Sequence, residues 1–276
     1  MPELPEVETT RRHIAPVLDG RTIVAAELGR DRMARRNARP SDIADRLVGR
    51  RVESVGRRGK FLVIDLEDDL TWVIHLGMSG RLQVTEPDQP LEPHTHLRVR
   101  TDEGREVRMI DPRTFGFVAV FTPEELAADS MTGLGPDALE ELPSPAELSA
   151  RLDRRRAPIK SLLLDQRILA GLGNIYADEV LFRAGVRPTR PGGDVTEAEL
   201  EAILRAIPEV LAAGIEFGGT SLDDLAYLLP DGRAGEYLAR LAVYGRTDEP
   251  CRVCGTPIER VVVGQRSSHF CPRCQT

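Results

Sequence analysis

Cys251-Arg-Val-Cys254 and Cys271-Pro-Arg-Cys274 close the chain, with sixteen residues between the two pairs. Thiols paired at that spacing are the ligand pattern of a four-thiolate zinc ribbon, because each knuckle offers two sulfurs to one tetrahedral ion. The competing reading is two disulfides in a secreted domain. The first residues carry acids and prolines in place of an apolar signal region, which argues against it. A closed four-sulfur shell leaves no position for a substrate, so one structural Zn2+ is expected. The spacer Ile258-Glu-Arg-Val-Val-Val-Gly264-Gln-Arg266-Ser-Ser-His-Phe270 reads as two short strands around a Gly-Gln-Arg turn, a finger that presents Arg266.

Upstream of the finger the pattern is helical. Ile159, Leu162, Leu163, Gln166 and Leu169 share one helical face, and Tyr176, Val180 and Ala184 another. Gly171-Leu-Gly-Asn174 separates them; Asn174 is placed to cap the second helix, whose first amides then form an anion cradle. An ordinary helix-turn-helix corner explains the same residues. Thr196 and Glu199 form a capping box for a further helix, with Pro208 as a kink point.

The first half alternates instead. Arg51–Gly56, Phe61–Glu67, Leu70–Leu76, Leu97–Thr101, Glu106–Ile110 and Phe117–Phe121 are short apolar alternations divided by turn residues, the pattern of antiparallel sheets packed as a sandwich. From Thr122 to Pro145 the chain is rich in Pro, Gly and acids, a linker with a short helix. The fold class is therefore α+β.

The net charge of −7 over 276 residues speaks against a simple basic coat protein for nucleic acid. It leaves room for a focused site, because the distribution of charge governs association as well as its sum. Arg30, Arg32, Arg35, Arg36 and Arg39 crowd one early stretch, either a positive face or a solvated basic loop. Of 37 basic residues only Lys60 and Lys160 are lysines. A compact ammonium with three freely aimed donors differs from a planar arginine fork, so these two positions are expected to need that geometry. No apolar run approaches a membrane span, and a soluble, cytoplasmic protein is expected.

The chain opens Met1-Pro-Glu-Leu-Pro-Glu6. Removal of Met1 exposes a secondary amine on Pro2. A chain-terminal amine has a pKa of about 7.7–8.0 against about 10.4 for lysine, so part of it is uncharged at neutral pH. Attack on a sugar C1′ gives an iminium, an electron sink, with Glu3 beside it as proton donor and acceptor. Pro5, Glu6 and Glu8 also read as a plain helix start. The two readings coexist, since a helix beginning at Pro5 aims its positive end at Pro2 and Glu3.

Taken together, these features identify a family. The chain resembles the formamidopyrimidine-DNA glycosylases through Met1-Pro-Glu-Leu-Pro-Glu-Val-Glu-Thr9, Gly59-Lys-Phe61, His75-Leu-Gly-Met-Ser-Gly80 and Asp111-Pro-Arg-Thr-Phe-Gly116. The match continues through Leu164-Asp-Gln166, Gly171-Leu-Gly-Asn-Ile-Tyr-Ala-Asp-Glu179, Val243-Tyr-Gly-Arg246 and the finger. The resemblance implies a bifunctional base-excision enzyme that extrudes an oxidised purine from duplex DNA, cuts its glycosidic bond and nicks the strand by β,δ-elimination. It implies Pro2 as nucleophile, Glu3 as proton relay and Glu6 as a supporting carboxylate. Lys60, Asn174 and Arg266 are implied at the phosphates flanking the extruded nucleotide. Met78, Arg113 and Phe115 are implied as the wedge that fills the hole in the stack, with Arg113 facing the orphaned cytosine. Read singly, Met78 and Phe115 look like core residues and Arg113 like a surface charge. Lys160 corresponds to a lysine near the lesion side, and His94 and His96 to a pair near the orphan side. A monomer on the bacterial nucleoid, without membrane contact, is implied.

The division expected is a catalytic sandwich over 1–121, a linker over 122–150, a helix-two-turn-helix domain over 151–245 with a lesion-capping loop over 217–235, and the finger over 246–276. Two positions depart from the family pattern: Thr114 stands where a second arginine is common, and Asp223 where a basic residue is common. The rival readings are the sister endonuclease VIII branch, which Leu4 opposes, and a non-catalytic DNA-binding paralogue, which intact Pro2, Glu3 and Lys60 oppose.

Overall fold

The computed structural model describes residues 2–222 and 226–276. Met1, whose removal is expected to expose Pro2, and Asp223 of the segment expected to cap the lesion lie outside the described residues. The chain divides into two compact units, Met1–Thr132 with Phe217–Leu238, and Gly133–Glu216 with Ala239–Thr276.

The first unit opens with α1 (Leu4–Leu18), followed by β1 (Ile23–Leu28), α2 (Asp42–Leu47), β2 (Val52–Arg58), β3 (Phe61–Leu66) and β4 (Leu70–His75). It continues through β5 (Arg81–Thr85), β6 (Thr95–Thr101), β7 (Glu106–Ile110), β8 (Phe117–Phe121) and α3 (Pro123–Ala128). The strands form two four-stranded antiparallel sheets, ordered β1-β6-β7-β5 and β2-β3-β4-β8. Leu62, Ile64, Trp72 and Ile74 of one sheet and Val99, Val107 and Met109 of the other share one core with Val7, Ile14 and Leu18 of α1. This is the sandwich that alternation implies, because side chains of period two send every second residue inward. Strands β1 and β5 carry no comparable sequence signal. They are the edges of their sheet, and the β1 burial pattern is mostly partial.

The second unit contains α4 (Pro145–Leu152), α5 (Ile159–Leu163), α6 (Asn174–Ala184), α7 (Glu197–Glu216), β9 (Glu259–Val263) and β10 (Arg266–Phe270). The apolar face running to Leu169 predicts a longer helix than α5, which stops at Leu163. The Gln166 side chain explains the stop: it donates to the Leu164 and Leu172 carbonyls at 3.0 and 2.9 Å and accepts the Gly171 N–H at 2.9 Å. One amide thus satisfies backbone groups that a helix would have paired. The capping box of α7 is present, with Thr196 N–H on Glu199 at 2.8 Å, and the helix runs on past Pro208 to Glu216. Among the described residues no helix is long and apolar enough to cross a membrane.

The segment Phe217–Leu238, read from sequence as part of the helical domain, clusters with the first unit. Local ties explain this. The Val84 N–H reaches the Pro230 carbonyl at 2.9 Å, and the Tyr227 hydroxyl reaches the Glu6 carbonyl at 3.3 Å.

Candidate active site and nucleic-acid interface

Pro2 is buried and directly precedes Glu3, the cap residue of α1, which is extended at φ −105° and 2% exposed. The capping box that sequence reading finds in other helices recurs here with an acid at both ends: the Glu3 N–H donates to Glu6 Oε2 at 2.8 Å. The other oxygen of Glu6 accepts the Thr220 N–H at 2.7 Å. Gly219 lies so close that a Cβ on it would stand 2.8 Å from the Glu6 carboxylate, and its φ of +82° also requires glycine. Glu6 therefore links Glu3 to the start of the segment that begins at Phe217.

Lys60 lies on the turn between β2 and β3, where Gly59 takes φ 57°. Arg57, with its side chain fully buried, donates from Nη1 to the Gly59 carbonyl at 3.0 Å and from Nε to Glu8 of α1 at 3.4 Å. Helix α1, which follows Pro2, thereby also steadies the lysine turn. Beside it stands His75, a residue to which sequence reading assigns no role. Burial, then the neighbouring Lys60, Arg36 and Arg35 charges, lower its pKa to about 4. Its Nδ1 accepts the Gly77 N–H at 3.2 Å, so the neutral ring carries its proton on Nε2. A neutral N–H donor next to an ammonium is a second group suited to an anion.

Met78, Arg113 and Phe115, expected to act as a wedge, lie on two interlocked loops. Gly77 at φ +66° lies against Gly116, whose N would be 2.3 Å from a Cβ on Gly77. Asp111, fully buried, accepts Ser79 Oγ–H at 2.6 Å, the Arg113 N–H at 3.3 Å and the Gly116 N–H at 2.8 Å. The same residue's backbone meets the His94 carbonyl at 3.0 Å and His96 Nε2 at 3.1 Å. His94 is exposed and His96 buried. Phe115 is 43% exposed, Arg113 is exposed with its guanidinium 4.7 Å from the Phe115 ring, and Met78 is half-buried. Phe115 is thus no core residue. The plain reading of the arginine-rich stretch changes as well. Arg35 donates to the Gly116 and Phe115 carbonyls at 2.5 and 2.9 Å, Arg36 pairs with Asp129 at 2.8 Å, and Arg39 pairs with Asp42 at 2.8 Å. The roles of Asp111 and Arg35 escape sequence reading because Ser79 and the Phe115 and Gly116 carbonyls, respectively, are remote from them in sequence; the Asp111–Gly116 motif was the available signal.

In the second unit Gly173, not Asn174, occupies the cap position of α6. Asn174 is the first helical residue, and its buried Oδ1 has no hydrogen-bond partner among the described residues. The carboxamide is therefore not consumed by capping. Arg266 is exposed at the start of β10, beside a two-residue turn with φ 53° at Gly264 and 63° at Gln265, the handedness that tight hairpins favour. Lys160 departs from expectation. It is fully buried, with Nζ 2.8 Å from Asp178 Oδ1 and 2.7 Å from the Ser267 carbonyl, so its ammonium is spent inside the protein and not on a DNA-facing surface.

The four cysteine sulfurs lie within 4.8 Å of one another, with Cys254 to Cys271 at 3.4 Å and Cys251 to Cys274 at 4.0 Å. Tetrahedral coordination at Zn–S of about 2.3 Å demands sulfur separations near 3.8 Å. The Val253 and Cys274 amides point at the Cys251 and Cys271 sulfurs at 3.4 Å each, as thiolates in a knuckle require. The site fits one structural zinc ion.

Three family models cover nearly the whole chain: the formamidopyrimidine-DNA glycosylase N-terminal domain over residues 1–118, the H2TH domain of the same enzymes over 134–225, and the zinc finger found in FPG and IleRS over 248–276. Formamidopyrimidine-DNA glycosylase of Chloroflexus aggregans is 46% identical over 276 residues, covering 100% of this chain and 98% of that protein. The MutM (Fpg) protein of Thermus thermophilus superposes with TM-score 0.88 at 42% identity, over 99% of this chain and 98% of that one. Lactococcus lactis Fpg in complex with DNA containing an abasic site superposes with TM-score 0.90 at 31% identity, over 100% of both chains. The fold and the site define a base-excision repair glycosylase that acts on DNA. The chain belongs to the formamidopyrimidine-DNA glycosylase family.

Proposed function

We propose that the enzyme removes oxidised purines, 8-oxoguanine and formamidopyrimidines, from duplex DNA and nicks the strand by β,δ-elimination through a Schiff base on Pro2. The observation that carries this reading is the placement of Pro2, buried immediately before the N-terminus of α1 and beside Glu3, whose backbone N–H is fixed by Glu6. The helix end favours an uncharged amine there.

The Pro2 nitrogen lone pair bonds to C1′ as the glycosidic pair departs with the base, which takes up a proton. Glu3 delivers a proton to O4′ as the sugar ring opens to the C1′ iminium, the amine having lost its own proton. The iminium acidifies the C2′ hydrogen; its loss expels the 3′ phosphate, and a second elimination expels the 5′ phosphate. Lys60, His75, Asn174 and Arg266 bind phosphates flanking the extruded nucleotide, positioning without reading sequence. Met78, Arg113 and Phe115 fill the vacated stack, and His94 lies toward the orphaned base. The division into a catalytic sandwich, a helix-two-turn-helix domain and a finger serves one chain acting alone.

Borohydride trapping tests the proposal on duplexes carrying 8-oxoguanine opposite cytosine, an oxidised pyrimidine, or no lesion. A covalent adduct on 8-oxoguanine that Pro2→Gly abolishes, with DNA binding retained, is expected. Trapping only on the pyrimidine transfers the enzyme to endonuclease VIII-like specificity. No adduct on any duplex leaves the non-catalytic paralogue.

A further inference from the structure

Lys160 is one of two lysines in the chain, and the proposed chemistry leaves it unused. Its surroundings show what it does. Asp178, also fully buried in its side chain, accepts Lys160 Nζ–H and Ser268 Oγ–H on Oδ1, each at 2.8 Å, and the His269 N–H on Oδ2 at 2.8 Å. Its neighbour Glu179 accepts the backbone N–H groups of Ala242, Val243 and Tyr244 at 2.7, 2.9 and 2.9 Å. Two consecutive acids of α6 thus hold both the chain that leads into the finger and the strand that leaves its tip. From α5, Lys160 adds a bond to the Ser267 carbonyl at 2.7 Å. The residue after it, Ser161, lies against the hairpin turn, where a Cβ on Gly264 would stand 2.8 Å from Ser161 Oγ.

Asp178 lies four residues beyond Asn174, one turn along the same helix face. It grips β10 two and three residues beyond Arg266. A short rigid path therefore connects the two groups: one helical turn, one carboxylate and two strand residues. Zinc closes the far end of the finger, at Cys251, Cys254, Cys271 and Cys274. We propose that Asp178 and Lys160 are a positioning pair that sets Arg266 in register with Asn174, so that the arginine and the amide address the same stretch of DNA backbone. The pair acts through Arg266 and touches no substrate; the proposal rests on Arg266 contacting phosphate. It also accounts for lysine at 160: a compact ammonium can face a carboxylate and a carbonyl in different directions inside the protein, which a planar guanidinium does not do in the same space.

The test is a double-mutant cycle on the full-length zinc-loaded protein, reading affinity for a duplex with an abasic-site analogue as a function of salt. Arg266→Ala is expected to weaken binding about tenfold, as loss of a charged hydrogen bond does, and to lower the salt slope by about one phosphate. Asp178→Asn is expected to do nearly the same in the parent and to add almost nothing in the Arg266→Ala background. Ser268→Ala removes one tie without leaving a buried charge unpaired; it is expected to show the same non-additivity in smaller measure, which covers failure of Asp178→Asn to fold. Lys160→Arg, which keeps the charge, is expected not to rescue binding. Faster amide hydrogen exchange at Ser267–Phe270, with zinc still bound stoichiometrically, is expected in Asp178→Asn and Ser268→Ala. Additive losses would show a general structural effect and overturn the positioning role while leaving Arg266 as a phosphate ligand. An Arg266→Ala protein that binds like the parent, with an unchanged salt slope, would overturn both.

Discussion

The Glu6 carboxylate accepts the Glu3 backbone N–H at 2.8 Å, fixing the cap of α1 at the residue that follows Pro2. The same carboxylate accepts the Thr220 N–H at 2.7 Å, so the N-terminal Pro2-Glu3 segment and the segment around Thr220 share one anchor.

Glu6→Gln keeps the shape and removes one of the two acceptor oxygens, leaving an N–H facing an N–H. Hydrogen bonds to charged groups contribute about 1.5–3 kcal/mol. The expected result is a single-turnover excision rate lower by about tenfold to a hundredfold, with affinity for an abasic-site duplex within threefold of the parent. Equal losses in both would assign Glu6 to binding alone.

His75 makes stability depend on pH. Its pKa is lowered to about 4 in the folded protein, so between that value and the ordinary value near 6.5 the unfolded chain binds more protons than the native one. Stability is fully present above the unfolded value and is lost as pH falls toward the folded one. Between pH 7.5 and 5 the loss from this residue reaches at most about 2 kcal/mol. Urea unfolding of the parent and of His75→Gln at both values checks it, the variant showing the shallower dependence.

Thr114 takes φ 52° between the two exposed wedge residues. A β-branched residue in the left-handed region is strained by about 1–3 kcal/mol, whereas asparagine tolerates it. Thr114→Asn is expected to raise the unfolding free energy by about 1 kcal/mol. An unchanged or lower value in calorimetry would show that packing of the buried Thr114 side chain outweighs the strain.

Removing zinc, by chelation or by Cys254→Ser, is expected to disorder the cysteine knuckles and abolish high-affinity DNA binding, because so small a module holds little apolar core of its own. Val243, Cys251, Ile258 and Cys271 form that core, so two of its four buried residues are ligands. Retained affinity in zinc-free protein, with zinc measured by atomic absorption, would contradict the assignment.

Much of this protein is legible from local chemistry. The two cysteine pairs lie close along the chain, so their spacing alone specifies the finger, and the positive-φ Gly264-Gln265 turn closes it by backbone preference. Strand β3 is legible because side-chain period two meets one buried face, and β4 and β8 because short apolar runs bounded by turn residues lie buried along most or all of their length. Strands β1 and β5 lack that regularity, since most of their side chains are only partly buried. Helix α5 ends where a local side-chain requirement, the Gln166 amide folding back on its own turn, outweighs apolar periodicity. The long-range ties of the buried acids were decided by tertiary structure. Asp111, Asp178 and Glu6 each also hold a partner remote in sequence, Ser79, Ser268 and Thr220, and Lys160 turns inward because Asp178 waits there. Sequence alone determined which groups could attack, bind phosphate and hold zinc, since those capacities belong to the side chains themselves. Which of them stand exposed to meet DNA and which are consumed in holding others was decided only by folding, because burial and hydrogen bonding depend on what the rest of the chain brings alongside.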